Sequence, residues 1–304
     1  MTASQRDSII VQTSTLGATE EDGAIRIYQA DLEAPWRWLQ AGWADIERAP
    51  GVSLAYGAIF TVIALLLLVG LSTAGLQSMI FPLAGGFLLI GPVLAVGLYE
   101  SSRRLAAGEP VSLHAVFDAG GQSMGQLMLF GLALMLIYLA WVELAFLLFM
   151  LFYGGVPLPP LQEFIASLLF TWNGLGLLIV GSIIGAGMAA LVFTISMVSV
   201  PMLMTRKVGV ATAVLTSVQA VRLNYQVAAL WTVLIVGLMS LGIATLFVGI
   251  VIAFPLVGHA SWHAYRDIVT DDSDDETAVK QASSEADDMV DDETSEKGDG
   301  ETAA

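Results

Sequence analysis

The chain of 304 residues has no cysteine, three histidines and few charges, 13% of its residues against about a quarter in soluble domains. Without cysteine there are no disulfides, thiolate metal sites or cysteine nucleophiles, and the redox compartment cannot be read. Charge is missing altogether from Gly51 to Leu98, and again from the 43 residues between Arg222 and Arg266. At about 1.5 Å per helical residue each run measures about 65–70 Å, twice the ~30 Å hydrocarbon thickness of a bilayer. A nucleotide-binding loop, a nucleophile elbow and a kinase motif are also missing, and no base accompanies the scattered Ser, Thr and Asp residues. The chain is therefore not read as an enzyme or as a nucleic-acid binder, and no cofactor is expected.

What is present is apolar. Mean hydropathy is +0.75 and 56% of residues are hydrophobic. Because the bilayer core offers no water, backbone N–H and C=O groups there must bond internally, and continuous apolar runs do so as helices. The fold class is all-α: a polytopic helical membrane protein with polar tails. The formal charge of −16 belongs to one end, since residues 271–304 hold 14 of the 28 acids and two lysines. Four segments follow: a disordered tail over 1–24, an amphipathic juxtamembrane helix over 25–50, a transmembrane domain over 51–268 and a disordered acidic tail over 269–304. Residues 1–50 carry only the short Ile9-Ile10-Val11 cluster, so the first span is expected to be its own targeting signal.

Six spans are expected, near 53–73, 79–100, 126–152, 174–200, 224–241 and 243–263, with five as the alternative because only Ser240-Leu241-Gly242 offers a bend between the last two. Three even-numbered spans end alike: Pro92 precedes Arg103 by 11 residues, Pro255 precedes Arg266 by 11, and Pro201 precedes Arg206-Lys207. Lysine and arginine flank one side only (Arg26, Arg37, Arg48, Arg103, Arg104, Arg206, Lys207, Arg222, Arg266), which places both termini in the cytoplasm of a bacterial inner membrane. Before the first span, Leu32, Trp36, Leu39, Trp43 and Ile46 fall within about 80° of helix circumference. Asp31 is the expected N-cap and Ala49-Pro50-Gly51 the expected stop. Such a Trp-rich stripe reads as an anchor in the headgroup plane, or as a helix packed on the protein's own cytoplasmic face. The connectors 209–223, with Val210, Val214, Val218 and Val221 on one face, and 111–118 read as helices. Gly154 to Asn173 reads as an outer surface helix or a shallow re-entrant segment.

Several blocks carry a resemblance. Asp31-Leu32, Gly42-Trp43, Asp45, Ala49-Pro50, Ser53-Leu54 and Tyr56-Gly57 form the first; Pro82 to Pro92 with Gly97-Leu-Tyr-Glu-Ser-Ser-Arg103 form the second; Pro201-Met-Leu and Pro255-Leu-Val-Gly-His-Ala-Ser-Trp-His-Ala-Tyr-Arg-Asp267 complete it. Together, over about residues 25–269, they resemble an uncharacterised bacterial integral-membrane family, domain of unknown function 2189. The family has no established activity, so the resemblance implies no catalytic role. Some relatives bear the label of cytochrome c oxidase components. A haem-copper core needs more histidine ligands than His114, His259 and His263 supply, so the label implies at most an accessory or assembly protein.

Candidate sites remain few. His259 and His263, four apart on one helix face, could present two imidazoles to a metal ion, or could pack with Trp262 and Tyr265 as interfacial anchors like Trp36 and Trp43. Glu143 is a candidate intramembrane polar site. Counted from Gln126 it lies about 26 Å along its helix, at the outer boundary, where Tyr138, Trp141 and Tyr153 resemble an aromatic belt. Gly181 and Gly185 are a small-xxx-small packing pair, and Gly85, Gly86 and Gly91 around Pro92 could break their span as at a transporter site. The partners implied are the lipid bilayer and, beyond it, other membrane proteins or a second copy. Function is read as scaffold, assembly or accessory factor, with a transporter or channel for a small neutral or weakly charged solute as the alternative and metal or haem binding third.

Overall fold

The computed structural model describes residues 8–11, 25–76, 80–117, 124–154 and 161–271. The acidic tail beyond Asp271 and the proline-rich 155–160 lie outside them. Helices dominate: α1 (Ala34–Arg48), α2 (Pro50–Thr73), α3 (Ile80–Leu94), α4 (Val96–Ala106), α5 (Leu113–Phe117), α6 (Met124–Tyr153), α7 (Leu161–Phe170), α8 (Trp172–Ser196), α9 (Ser199–Thr205), α10 (Val210–Leu223), α11 (Tyr225–Ala244) and α12 (Ile250–Ile268). Five stretches are long and apolar enough to cross a bilayer: α2, α3 with α4, α6, α8 with α9, and α11. The shorter α12 returns antiparallel along α11. This is a polytopic helical membrane protein, and its length and composition accommodate either five or six spans.

A three-stranded antiparallel sheet joins β1 (Ser8–Val11), β2 (Ile25–Tyr28) and β3 (Val269–Asp271) in the order β1-β2-β3, with Ile9 opposite Ile27 and Ile27 opposite Val269. The Ile9-Ile10-Val11 cluster, which polar surroundings assign to a disordered tail, is β-branched and finds a partner in β2 that only the tertiary fold supplies. Ile25 and Ile27 are wholly buried, so β2 caps the end of the bundle from which α1 and α12 leave it. Asn224 fixes it there: its Oδ1 accepts from Ala30 N at 2.7 Å, and its Nδ2 donates to the Tyr28 and Ala220 carbonyls at 3.1 Å.

Several boundaries differ from the sequence reading. α1 starts at Ala34 after Glu33, not after Asp31; the Asp31 carboxylate instead accepts from Glu33 N (3.1 Å) and pairs with Arg37 (2.8 Å), capping the turn before the helix. Pro50 does not open a loop. It is the first residue of α2, because its fixed φ suits a helix start and its missing N–H is not needed there. The bend between α11 and α12 falls at residues 245–249 rather than at Ser240-Leu241-Gly242. On α10 the inward face is Thr212, Ala213, Thr216, Ser217 and Ala220, while Val214 and Val218 only flank it.

Burial is uneven in a way that follows from the solvent. Leu66, Met128, Leu151 and Ile183 are all more than 60% exposed, on helices that face lipid and gain nothing by hiding apolar side chains. Dense packing sits at the end capped by β2, where Trp38, Leu98, Val198, Val200, Met202, Leu203, Trp231, His259 and Ile268 are buried nearly completely.

Candidate functional site

α12 is the hub of that core because it presents small residues where other helices cross it. A Cβ on Gly42 of α1 would stand 2.7 Å from Ala260 N; one on Gly57 of α2 would collide with the Val251 carbonyl; and one on Gly258 would collide with Leu98 of α4. Backbones this close bring short polar side chains into mutual reach.

The result is a buried polar cluster drawn from four helices. Asp45 on α1 is 3% exposed, Ser53 on α2 is fully buried, Ser102 on α4 is 1% exposed, and His259 on α12 is fully buried. Asp45 Oδ2 accepts from the Ser102 hydroxyl at 2.7 Å and from His263 Nε2 at 2.8 Å. With its proton given to Asp45, Ser102 Oγ accepts from His259 Nδ1 at 2.7 Å. His259 Nε2 then accepts from the Ser53 hydroxyl at 2.9 Å. Burial disfavours the charged ring, so His259 is a neutral imidazole with both nitrogens satisfied. Burial pushes the Asp45 carboxyl up, but the hydrogen bonds from His263 and Ser102 and the nearby imidazoles outweigh it and hold the group below its ordinary value of 3.8.

Around the cluster lie further polar clasps. Trp38 Nε1 donates to Asp267 Oδ2 at 3.0 Å, and the Trp38 ring meets Trp231 edge-on at 5.6 Å. Tyr56 OH donates to the Leu94 carbonyl at 2.6 Å. That carbonyl lies where the chain bends between α3 and α4, with Leu98 N and Tyr99 N both bonding to Ala95 instead. Glu100 bonds Arg103 and Arg104 at 2.7–2.9 Å.

The candidates read from sequence divide sharply. His259 and His263 do face one carboxylate, as their i, i+4 spacing suggests. However, both nitrogens of His259 are bonded to serines and His263 Nε2 to Asp45, so these three ring nitrogens are engaged in hydrogen bonds. Among the described residues no group of three or more metal-ligating side chains is so arranged. Trp262 and Tyr265, expected at the interface, are interior: each is 3% exposed, and Tyr265 OH bonds Thr205 at 2.9 Å. Their helix is enclosed by α1, α2, α4 and α11. Trp36 and Trp43 stand on the outside of α1, 49% and 45% exposed, opposite the Ala34, Trp38, Gly42 and Asp45 face that docks on α12. Gly185 receives the Trp141 ring, whereas nothing lies near Gly181. Gly86 is filled by Tyr138 and Trp141, and Gly85 is lined by Trp141, so this stretch of α3 is a packing seat for α6. Glu143 is exposed, with no polar partner among the described residues. Val93 lies against Gly131, so Glu143, 12 residues further along the antiparallel α6, stands level with residue 81, at the first turn of α3.

Asp45, Ser53, Ser102 and Asn224 were not singled out from the sequence. The first three lie in blocks that carry the resemblance, together with Gly42, Gly57, Leu98, Gly258 and His259. The signal was there, but as packing spread over three distant segments.

The model of a family described as a predicted integral membrane protein, DUF2189, matches residues 80–205. This is narrower than the 25–269 over which the resemblance was read, and leaves α1, α2 and α12 outside it. No curated protein and no solved structure matches the chain.

Proposed function

We propose, from the DUF2189 match over residues 80–205 and the geometry above, that this chain is a non-catalytic scaffold or accessory factor of the bacterial inner membrane, with both termini in the cytoplasm. One observation carries the reading: each polar side chain of the buried cluster is bonded to another helix of the same chain. Asp45, Ser102, His259 and Ser53 brace α1, α4, α12 and α2. A solute pathway or a catalytic centre needs polar groups held ready for something else; these are engaged with one another. The brace holds α1 rigidly, with Trp36 and Trp43 turned outward towards headgroups or another membrane protein.

The test is purification of the tagged chain from its native host in mild detergent, with quantitative mass spectrometry against an unrelated membrane-protein control. Stoichiometric recovery of one defined complex, reduced by Trp36→Ala/Trp43→Ala, supports the proposal. Recovery of the chain alone, together with solute flux in proteoliposomes that Glu143→Gln abolishes, would replace it with a transporter.

A further inference from the structure

Contact register fixes the depth of the α11–α12 turn. α2 runs antiparallel to α12: Ser53 bonds His259, Gly57 abuts Val251 and Pro255, and the Thr61 hydroxyl donates to the Phe247 carbonyl at 3.4 Å. The turn therefore stands level with Thr61. From there α2 continues 12 residues to Thr73, about 18 Å further, while Ser53 lies eight residues, about 12 Å, below. Those distances add up to one hydrocarbon thickness, ~30 Å. The boundaries themselves are marked by chemistry. At and below the level of Ser53 stand Asp45, Glu47, Arg48, Glu100, Arg103 and Asp267; from Gly51 to Thr73 there is no charge.

A second helix gives the same depth independently. Leu98 meets Gly258. From that level α12 climbs eight residues to Ile250, about 12 Å, whereas the chain from Leu98 climbs 18 residues to Ile80, about 27 Å. The hairpin tip again falls about 15 Å short of the outer ends. Length alone lets α11 cross, but its lower turns are already outside the hydrocarbon. Asn224 holds the Tyr28–Ala30 segment, and Trp231 packs on Trp38 beside Asp267.

The turn is built for a dry environment. Leu246 and Val248 are 78% and 65% exposed, yet neither is polar. The backbone donors of Thr245 and Phe247 bond back to the Leu241 and Ile243 carbonyls of α11, those of Val248, Gly249 and Ile250 bond within the turn, and Thr245 Oγ1 accepts from Gly249 N at 2.8 Å while donating to the Gly242 carbonyl at 2.9 Å. Leu246 and Phe247 adopt left-handed φ of 55° and 67°, which reverses the chain tightly. Irregular backbone survives at membrane depth only when its polar groups are satisfied in this way.

We propose that α11 and α12 form a re-entrant hairpin that enters from the side of the chain termini and turns within the bilayer, with Leu246 and Val248 in hydrocarbon. The chain then crosses four times, through α2, α3–α4, α6 and α8–α9. Both termini stay on one side, so the topology stands or falls separately from the scaffold reading.

A chain without cysteine suits the test. Leu246→Cys and Val248→Cys are made singly, with Leu76→Cys at the outer end of α2 and Glu33→Cys before α1 as controls. All four sites are exposed, so the substitutions spare the core. Each is probed with an impermeant maleimide from either face, then spin-labelled in vesicles to compare collision with oxygen and with a water-soluble nickel chelate. The proposal expects the two controls to react from opposite faces. Leu246→Cys and Val248→Cys should react from neither, with oxygen collisions dominant and a depth near the bilayer centre. Labelling at position 246 or 248 from the face that labels Leu76→Cys would establish a full crossing. Labelling there from the face that labels Glu33→Cys would put the tip outside the hydrocarbon. Either result overturns the proposal.

Discussion

Replacing Asp45 with alanine tests the brace most directly. The carboxylate accepts from Ser102 and His263 at 2.7 and 2.8 Å, and each hydrogen bond to a charged group contributes about 1.5–3 kcal/mol. His263 is 27% exposed at its side chain and can recruit water. Ser102 is buried and loses its acceptor outright, with a penalty of about 1–3 kcal/mol. Relief of the carboxylate's own desolvation offsets part of this, so the expected loss is about 3 kcal/mol, at the lower end of the ~3–5 kcal/mol measured when one partner of a buried pair is removed. The assay is reversible unfolding in mixed micelles by SDS titration, followed by tryptophan fluorescence, to which the Trp38–Trp231 contact contributes. A double-mutant cycle with Ser102→Ala should return a coupling of about 1–2 kcal/mol, since both sites belong to one network. The pH dependence has a definite sign. A carboxyl held below 3.8 in the fold contributes stability that is present above the ordinary carboxylate value and is lost as pH falls through the lowered native one. Asp45→Ala should flatten that acid limb. A loss under about 0.5 kcal/mol, or strict additivity with Ser102→Ala, would refute the argument that these residues act as a unit.

Other outcomes follow from the same packing. Gly42→Ala should cost about 1–3 kcal/mol in the same titration, because the new methyl meets the backbone of Ala260. Gly181→Ala, with nothing near it, should be neutral within about 0.5 kcal/mol, and equal effects would contradict the close approach of α1 and α12. Trp38→Phe should lose about 1–2 kcal/mol with the Asp267 bond and the edge-on contact. Trp36→Ala/Trp43→Ala should leave stability in detergent unchanged while reducing fluorescence quenching by shallow brominated lipids. Unchanged quenching would mean that the exposed stripe of α1 does not meet the bilayer. Glu143→Gln should leave unfolding unaltered within about 0.5 kcal/mol, the range for exposed sites without partners.

Much of this architecture was legible one residue at a time. Uncharged runs marked the spans of α2, α6 and α8 within a few residues, and Pro92 and Pro201 marked bends or ends near where they occur. On α1 the docking face is Ala34, Trp38, Gly42 and Asp45 with Ile46 from one edge of the expected stripe, which leaves Trp36 and Trp43 outward. Periodicity reports which side chains are apolar. It cannot say that a neighbouring helix will offer Ala260 and His263 to a glycine and a carboxylate. The histidine pair was noticed without its hydrogen-bonding partners for the same reason: Ser53 and Ser102 lie 206 and 157 residues from His259, and nothing local distinguishes them from other serines.

By itself the sequence determined that this chain lives in a membrane as helices, because transfer of uncharged runs into hydrocarbon, with every backbone group paired internally, depends only on local composition. It also determined, through the one-sided basic residues, which ends of the spans should lie together. Only the tertiary structure decided how Asp45, Ser53, Ser102 and His259 share four hydrogen-bonding helices, and how deep the α11–α12 turn reaches. Burial and depth are properties of neighbours: a helix long enough to cross need not, once the register against α2 and α4 fixes where it ends.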